Sequence, residues 1–291
     1  MSELVLDANS RNAWHRFLAN QSNFGHAQRK LVGQDIDTHI NACLSSARDT
    51  ALRISKDLID FKPSCILEIG CSTGLNCLAA SEIYPEAQII GIEPETEAIV
   101  AAKLLLSVSH SSKISFVQGV GEQIPLPSGS VDLVLCHTVI EHVKNVAVVI
   151  SEMARVISPS GVIHLEAPNY VWPYEPHLDV WTIPKLGKLF VALCARAQGH
   201  TEMLHFLEHL QFVTPFQLEN LATQNGLFCH NRVNDKIQNV IMGQNDVKKY
   251  KRLAQFIVWC GQFGLAKPVI SAIVASGCYP SVMYTFGKKS L

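Results

Sequence analysis

A chain of 291 residues with 48% hydrophobic and 17% charged residues can bury a substantial α/β core, which excludes global disorder. Its 24 basic and 25 acidic residues leave a formal net charge of -1, so no chain-wide basic field argues for nucleic acid. Nine cysteines without a close Cys-x-x-Cys pair read as reduced and mostly buried, and the first ten residues lack the pattern of a secretory leader, so a cytoplasmic protein is expected.

In chain order, residues 11–60 read as helices, one around Trp14, Phe17 and Leu18 and one from Ala42 to Ile59, with a break at Gly25 and Gly33 and a stop at Lys62-Pro63. They form either a lid over an acceptor pocket or a plain layer over a sheet. Cys65 to Ile69 is an apolar run suited to a central parallel strand. Gly70 and Gly74 then allow a sharp turn, and Ser72 or Thr73 is placed to cap a helix from Leu75 to Ser81, whose free N–H groups favour an anion. Further strands are predicted at 87–93, 114–118, 131–136 and 161–167, with helices at 95–108 and 139–156 between them. That alternation argues for a parallel sheet with helices on both faces.

From Pro168 to Pro184 the chain changes character, with four prolines and four aromatics, a stiff loop able to present side chains at low ordering cost. Residues 185–212 read as helical and contain His205-Phe-Leu-Glu-His209, a short match to a zinc-peptidase pattern that lacks a recognisable third ligand; no metal is expected. Thr214-Pro215 begins a capped helix, Leu227–His230 and Ser281–Phe286 are late strands, and between them Lys248, Lys249, Lys251 and Arg252 precede the apolar run 253–266. That last pattern suits either an interfacial helix at an anionic lipid surface or a helix buried against the core or a subunit.

The glycine loop at 68–74, Glu93 ending the second strand, the Glu122-Gln-x-Pro-x-Pro loop, Asp132, Ile140-Glu141-His142-Val143 and Ser158-Pro-Ser-Gly-Val162 follow one another through residues 60–168. In that order they resemble the class I S-adenosylmethionine (SAM)-dependent methyltransferases, in particular the branch acting on quinones, sugars and other small molecules. A dinucleotide dehydrogenase fits less well, since its third and sixth loop positions want glycine and are Ser72 and Leu75 here.

The resemblance implies an α/β, Rossmann-like class I methyltransferase fold with a mostly parallel seven-stranded sheet and helices on both faces. It divides the chain into an N-terminal helical cap (1–60), a SAM-binding core (61–167), a substrate-binding insertion (168–213) and a C-terminal completion (214–291). Glu68, Gly70, Cys71, Ser72 and Gly74 would cradle the methionine and ribose end of the cofactor, Glu93 would accept the ribose hydroxyls, Glu122 and Gln123 would face the adenine, and His137 the methionine portion. Val120 stands where relatives usually carry an acid.

His142 and His177 are the candidate bases, because imidazole can be neutral near pH 7 and accept a proton. Tyr170, Trp172, Tyr174, His177 and Trp181 are expected to line an acceptor pocket. The implied function is O-methylation of a small hydroxylated metabolite, sugar or lipid-linked acceptor, with peripheral contact at the inner membrane face as a further expectation. Transfer to carbon or nitrogen, and a catalytically silent SAM-fold binding protein, stay open. So does the oligomeric state.

Overall fold

A computed structural model describes residues 4–20, 35–109, 111–242 and 250–288; the break expected at Gly25 and Gly33, and the basic residues Lys248 and Lys249, lie outside them. The described elements are α1 (Ala8–Asn20), α2 (Ile36–Asp57), β1 (Cys65–Ile69), α3 (Leu75–Ile83), β2 (Gln88–Glu93), α4 (Thr96–Ser109), β3 (Ile114–Gln118), β4 (Val131–His137), α5 (Val146–Val156) and β5 (Ile157–Pro168). They continue with β6 (Tyr174–Glu175), β7 (Val180–Trp181), α6 (Gly187–Ala197), a 3-10 helix (Leu204–Glu208), α7 (Pro215–Gln224), β8 (Phe228–Asn231), α8 (Val233–Ile241), α9 (Lys251–Gly261), α10 (Ala266–Ser276) and β9 (Ser281–Gly287). The main sheet has seven strands in the order β3-β2-β1-β4-β5-β9-β8, and β6 and β7 form a separate hairpin. By contact density the chain forms two compact units, 1–136 with 151–162, and 137–150 with 163–291.

The first unit holds the parallel half of the sheet. β1 pairs in parallel with β2 and β4, Ile66 opposite Ile89 and Leu133, and β2 pairs with β3, Ile92 opposite Val117. β1 is buried almost throughout, as a strand covered on both faces must be. Asp132 fastens its start by accepting from the Ser64 and Cys65 N–H groups at 2.9 and 3.1 Å.

The N-terminal helices add their apolar faces to this unit's core, α1 packing on α4 and α2 on α3. α2 begins because Asp35 accepts a hydrogen bond from the Thr38 N–H, and it buries Ile36, Ile40, Leu44, Ala47 and Ile54 at helical spacing. Ile40 and Leu44 are wholly inside, each contributing about 1.5–3 kcal/mol by burial.

Several expected boundaries shift. The cap of α3 is neither Ser72 nor Thr73 but Gly74, at φ 80° and without a side-chain bond. A Cβ there would come within 2.4 Å of the Phe116 ring, so both space and backbone conformation require glycine. At Gly91, in the middle of β2, space alone is short: its Cβ would lie 2.6 Å from Cys71 Sγ and 2.7 Å from Phe116. α5 starts at Val146 rather than Val139, because Asn145 accepts from the Val148 N–H and the preceding residues form turns. β5 starts earlier than expected, at Ile157.

In the second unit β8 and β9 pair antiparallel, with Cys229 opposite Phe286. α7 has the expected cap, Thr214 Oγ1 accepting from Gln217 N–H at 3.2 Å with Pro215 in the first turn. The expected helix over 185–212 is instead α6 plus the 3-10 turn, which with Leu178 and Val180 build a small core of their own around Met203, Phe206 and Leu207. The 253–266 run is divided between α9 and the turn leading to α10, with Ile257 fully buried, and α8 was not foreseen.

Candidate active site

Residues singled out for the cofactor, His137 apart, lie in the first unit. Gly70 turns at φ 67°, and the N–H groups of Gly70 and Cys71 both donate to the Ile92 carbonyl at 2.8 and 3.1 Å. Ser72, at φ 47°, donates its N–H to Glu93 Oε2 at 2.9 Å, and Glu95 N–H donates to Glu93 Oε1 at 3.1 Å. The acid at the end of β2 thus ties the glycine loop to the loop after its own strand. Burial raises the Glu93 carboxyl above its ordinary value, against the two N–H donors that lower it.

Glu68 lies deeper than a ligand contact at the surface. It is buried, its oxygens taken by Asn76 Nδ2 at 2.9 Å and Cys77 Sγ at 2.8 Å, and burial pushes its pKa up to about 7. Cys71 is also buried and packs against Gly91, where it acts as a spacer. Glu122 is half-buried and Gln123 exposed in the turn after β3, with Gln123 N–H donating to Val120 O at 3.2 Å.

What holds that loop is not legible in the sequence. Glu152 accepts from the Ile124 N–H at 2.8 Å, while Arg155 donates to the carbonyls of Ile124 and Leu126 at 2.9 and 2.8 Å and to Glu152 itself. A single turn of α5 therefore fixes the Ile124–Pro127 backbone through charge-assisted bonds.

The remaining residues lie in the second unit. His137, at the end of β4, has Nε2 2.9 Å from Nδ1 of the fully buried His164. His164 was missed, though its place in an apolar strand, two residues before Glu166, was visible. Thr138, at φ 53°, donates its N–H to the Glu166 carbonyl at 2.7 Å.

His142 and His177 come together, their ring centroids 5.0 Å apart and edge-on, with Phe206 5.4 Å from each. His177 Nδ1 lies 2.6 Å from Oε1 of the buried Glu175, whose Oε2 accepts from the Leu178 N–H at 2.7 Å. The carboxylate orients the ring and favours the tautomer with Nδ1–H, leaving Nε2 as acceptor. His142 is pushed down to about 4, first by burial and then by His177, against the pull of Glu175. Tyr170 joins from the side, its hydroxyl 3.4 Å from Glu175 Oε1 and its ring stacked on Phe212 at 4.3 Å. One ligand atom each from Glu141, His142 and His177 falls within 4.8 Å of the others, a spacing that a divalent ion could bridge.

The aromatics do not form one pocket lining. In the β6–β7 hairpin Tyr174 is opposite Trp181 and Glu175 opposite Val180. Strand alternation sends Glu175 and Val180 inward, and Tyr174 and Trp181 to the opposite face, where their rings meet at 5.2 Å and Trp181 is exposed. Trp172 is half-buried beside Asn169, which clamps the carbonyls of Gly277 and Tyr279 at 2.7 Å each. His205 and His209 are both exposed on and after a five-residue 3-10 turn, where the α-helical i, i+4 alignment behind the zinc pattern does not exist.

Residues 67–165 match the methyltransferase domain family. That stretch is a methyltransferase domain. Its relatives include the ubiquinone biosynthesis O-methyltransferase of Rhodopseudomonas palustris strain TIE-1, 35% identical over 133 residues, which are 44% of this chain and 51% of that protein. The enzyme of the same name from Bartonella quintana is 26% identical over 200 residues, 66% of this chain and 72% of its own. The first of these matches thus spans about half the relative's length. Among solved structures, a putative sarcosine dimethylglycine methyltransferase from Galdieria sulphuraria covers 89% of this chain and 90% of its own at a TM-score of 0.51 and 15% identity, a likeness of fold. The seven-stranded, mostly parallel sheet is that of the class I methyltransferases.

Proposed function

We propose that this protein is a SAM-dependent methyltransferase that methylates an oxygen of a small hydroxylated acceptor. The cofactor side is supported by the fit of the glycine loop. Gly70, Ser72 and Gly74 all turn with positive φ, Gly74 lets the loop close against the Phe116 ring, and Glu93 holds a partly buried carboxylate at the rim. When bound there, SAM supplies a methyl group already activated by its sulfonium. Glu93 would accept from the ribose hydroxyls, Gly70, Cys71, Ser72 and Gly74 would provide the close backbone approach, Glu68 would hold the loop from beneath, Glu122 and Gln123 would flank the adenine, and His137 the methionine portion.

The observation that carries the oxygen assignment is the pairing of half-buried His177 with buried Glu175. A hydroxyl acceptor must lose a proton as its oxygen attacks, and an imidazole whose Nδ1 faces a carboxylate offers Nε2 to take it. His142, held neutral, adds a polar edge without a charge, and Phe206, Tyr170 and Trp172 supply apolar surface for a ring. Orientation in a site poor in water accounts for the rest of the rate. The names of the ubiquinone-pathway relatives favour a phenolic or quinol-type hydroxyl, and a lipid tail on such an acceptor agrees with peripheral membrane contact through 248–266.

His177→Ala should lower turnover on a hydroxylated acceptor by about 10²–10⁴-fold with SAM affinity intact. Unchanged turnover in a folded variant refutes the base. S-adenosylhomocysteine formation by the wild type separates an enzyme from a silent SAM binder, and product analysis separates oxygen from nitrogen or carbon transfer. A second reading is favoured by the three ligand atoms within 4.8 Å: Glu141, His142 and His177 hold a divalent ion that orients the acceptor oxygens. Loss of turnover in chelator, restored by a divalent ion, selects it.

A further inference from the structure

We propose that α9 and the turn after it dock on an anionic lipid surface through an aromatic ridge. Phe256 and Trp259 lie one turn apart on α9, and Phe263 follows four residues later in the turn beyond Gly261. Their rings form a continuous file, Phe256 to Trp259 at 6.1 Å and Trp259 to Phe263 at 5.4 Å. They are 50%, 55% and 64% exposed, and Leu265 beside them is 51% exposed.

α9 needs no aromatic face for its own packing, since Ala254, Ile257 and Cys260 already line its buried side. A helix in an ordinary globular surface carries polar residues opposite its buried stripe; this one carries two large rings, with a third in the turn beyond it. Arg252 lies one turn before Phe256 on the ridge side, Lys251 is adjacent, and Lys267 opens α10; all three are exposed.

Charge decides the occupant. From Val247 to Leu291 the sequence has no Asp or Glu and seven Lys and Arg, four of them between 248 and 252. A second copy of this face would therefore oppose cation to cation, whereas phosphate headgroups complement it. Among the described residues no helix is long and apolar enough to cross a membrane, so the contact is interfacial, with rings at the headgroup level and cations above.

This inference deepens the reading of a lipid-linked acceptor and rests on that reading only for the substrate. Flotation of the full chain with phosphatidylcholine vesicles, with and without phosphatidylglycerol, tests it, and SAM binding by calorimetry is followed in parallel. Wild type should float with the anionic vesicles and remain below with the neutral ones at low salt. Lys251→Gln, Arg252→Gln and Lys267→Gln together should weaken binding about a hundredfold, near fivefold per charge, an effect that fades in high salt. Phe256→Ser, Trp259→Ser and Phe263→Ser together should cut binding at least tenfold at every salt concentration while SAM affinity stays at the wild-type value.

Absence of flotation at low salt overturns the proposal. So does a dimer that the aromatic variant converts to monomer without any vesicle binding, since the ridge would then face a second copy. Loss of SAM binding in wild type, with flotation retained, would instead sink the methyltransferase reading and leave the lipid surface standing.

Discussion

The two halves of the candidate residue set, one in each unit, are built in opposite ways. On the cofactor side, functional groups are close in sequence: Glu68 bonds Asn76 and Cys77, and Ser72 reaches Glu93 across a single strand-helix-strand unit. On the acceptor side, His142 comes from a turn after β4, Glu175 and His177 from a hairpin, and Phe206 from a 3-10 turn. Both halves bury an ionisable group and bias it to its neutral form, Glu68 upward to about 7 and His142 downward to about 4, each first by burial. The difference lies in tolerance. Local construction concentrates its requirements on a few glycines, whereas long-range construction spreads them over many weaker contacts.

The largest effect should come from Gly74→Val. Its side chain meets Phe116 at a backbone angle that branched residues avoid, so folding or SAM binding should be lost outright, at a cost above about 4 kcal/mol. Thermal unfolding with and without SAM checks it, and a stable variant that binds SAM would break the contrast between the two halves.

Next is the pH dependence of Glu68→Gln. The folded carboxyl is raised to about 7 from 4.5, so the folded state holds a proton that the unfolded chain releases. Its contribution is fully present below about pH 4.5 and is lost as pH rises through about 7, of order 3 kcal/mol in total. Denaturant titrations from pH 5 to 8 should show that loss in wild type and not in the variant; parallel curves would mean that Glu68 is ionised in the fold.

Glu93→Ala should weaken SAM binding by about 10–100-fold, corresponding to lost hydrogen bonds to a charged group of about 1.5–3 kcal/mol, as read by calorimetry. Unaltered affinity would take the ribose away from β2. The smallest effect is that of Thr214→Ala in the second unit, about 1 kcal/mol from the lost bond to the Gln217 N–H. Urea midpoints should move while SAM affinity does not; a matching loss of affinity would break the contrast.

Much of the cofactor side was legible because strand periodicity, glycine spacing and a terminal acid act over short distances. β1, β2 and β3 fall within two residues of their expected bounds. Helix starts were less legible, since Ser72 and Thr73 are good caps by residue type, yet Gly74 takes the position because the Phe116 ring leaves no space for a side chain. The acceptor side was legible in composition only. Glu175 stands two residues before His177 in plain view, but nothing in the sequence says that the hairpin turns it inward beneath the imidazole and turns Trp181 outward.

By itself the sequence determined the alternation of strand and helix, the glycine turn with its acid, the cap of α7 and the cationic, carboxylate-free run from Val247 onward. These follow from backbone sterics, periodicity and charge, which a short segment carries with it wherever it is placed. Only tertiary structure decided that His137 meets His164, that Glu152 and Arg155 grip the loop after β3, that His142 is neutral beside His177, and that Ile257 points in while Trp259 points out. Each of those depends on residues brought together by packing, where burial and a neighbour's charge, neither of them a property of the residue alone, set what a side chain can do.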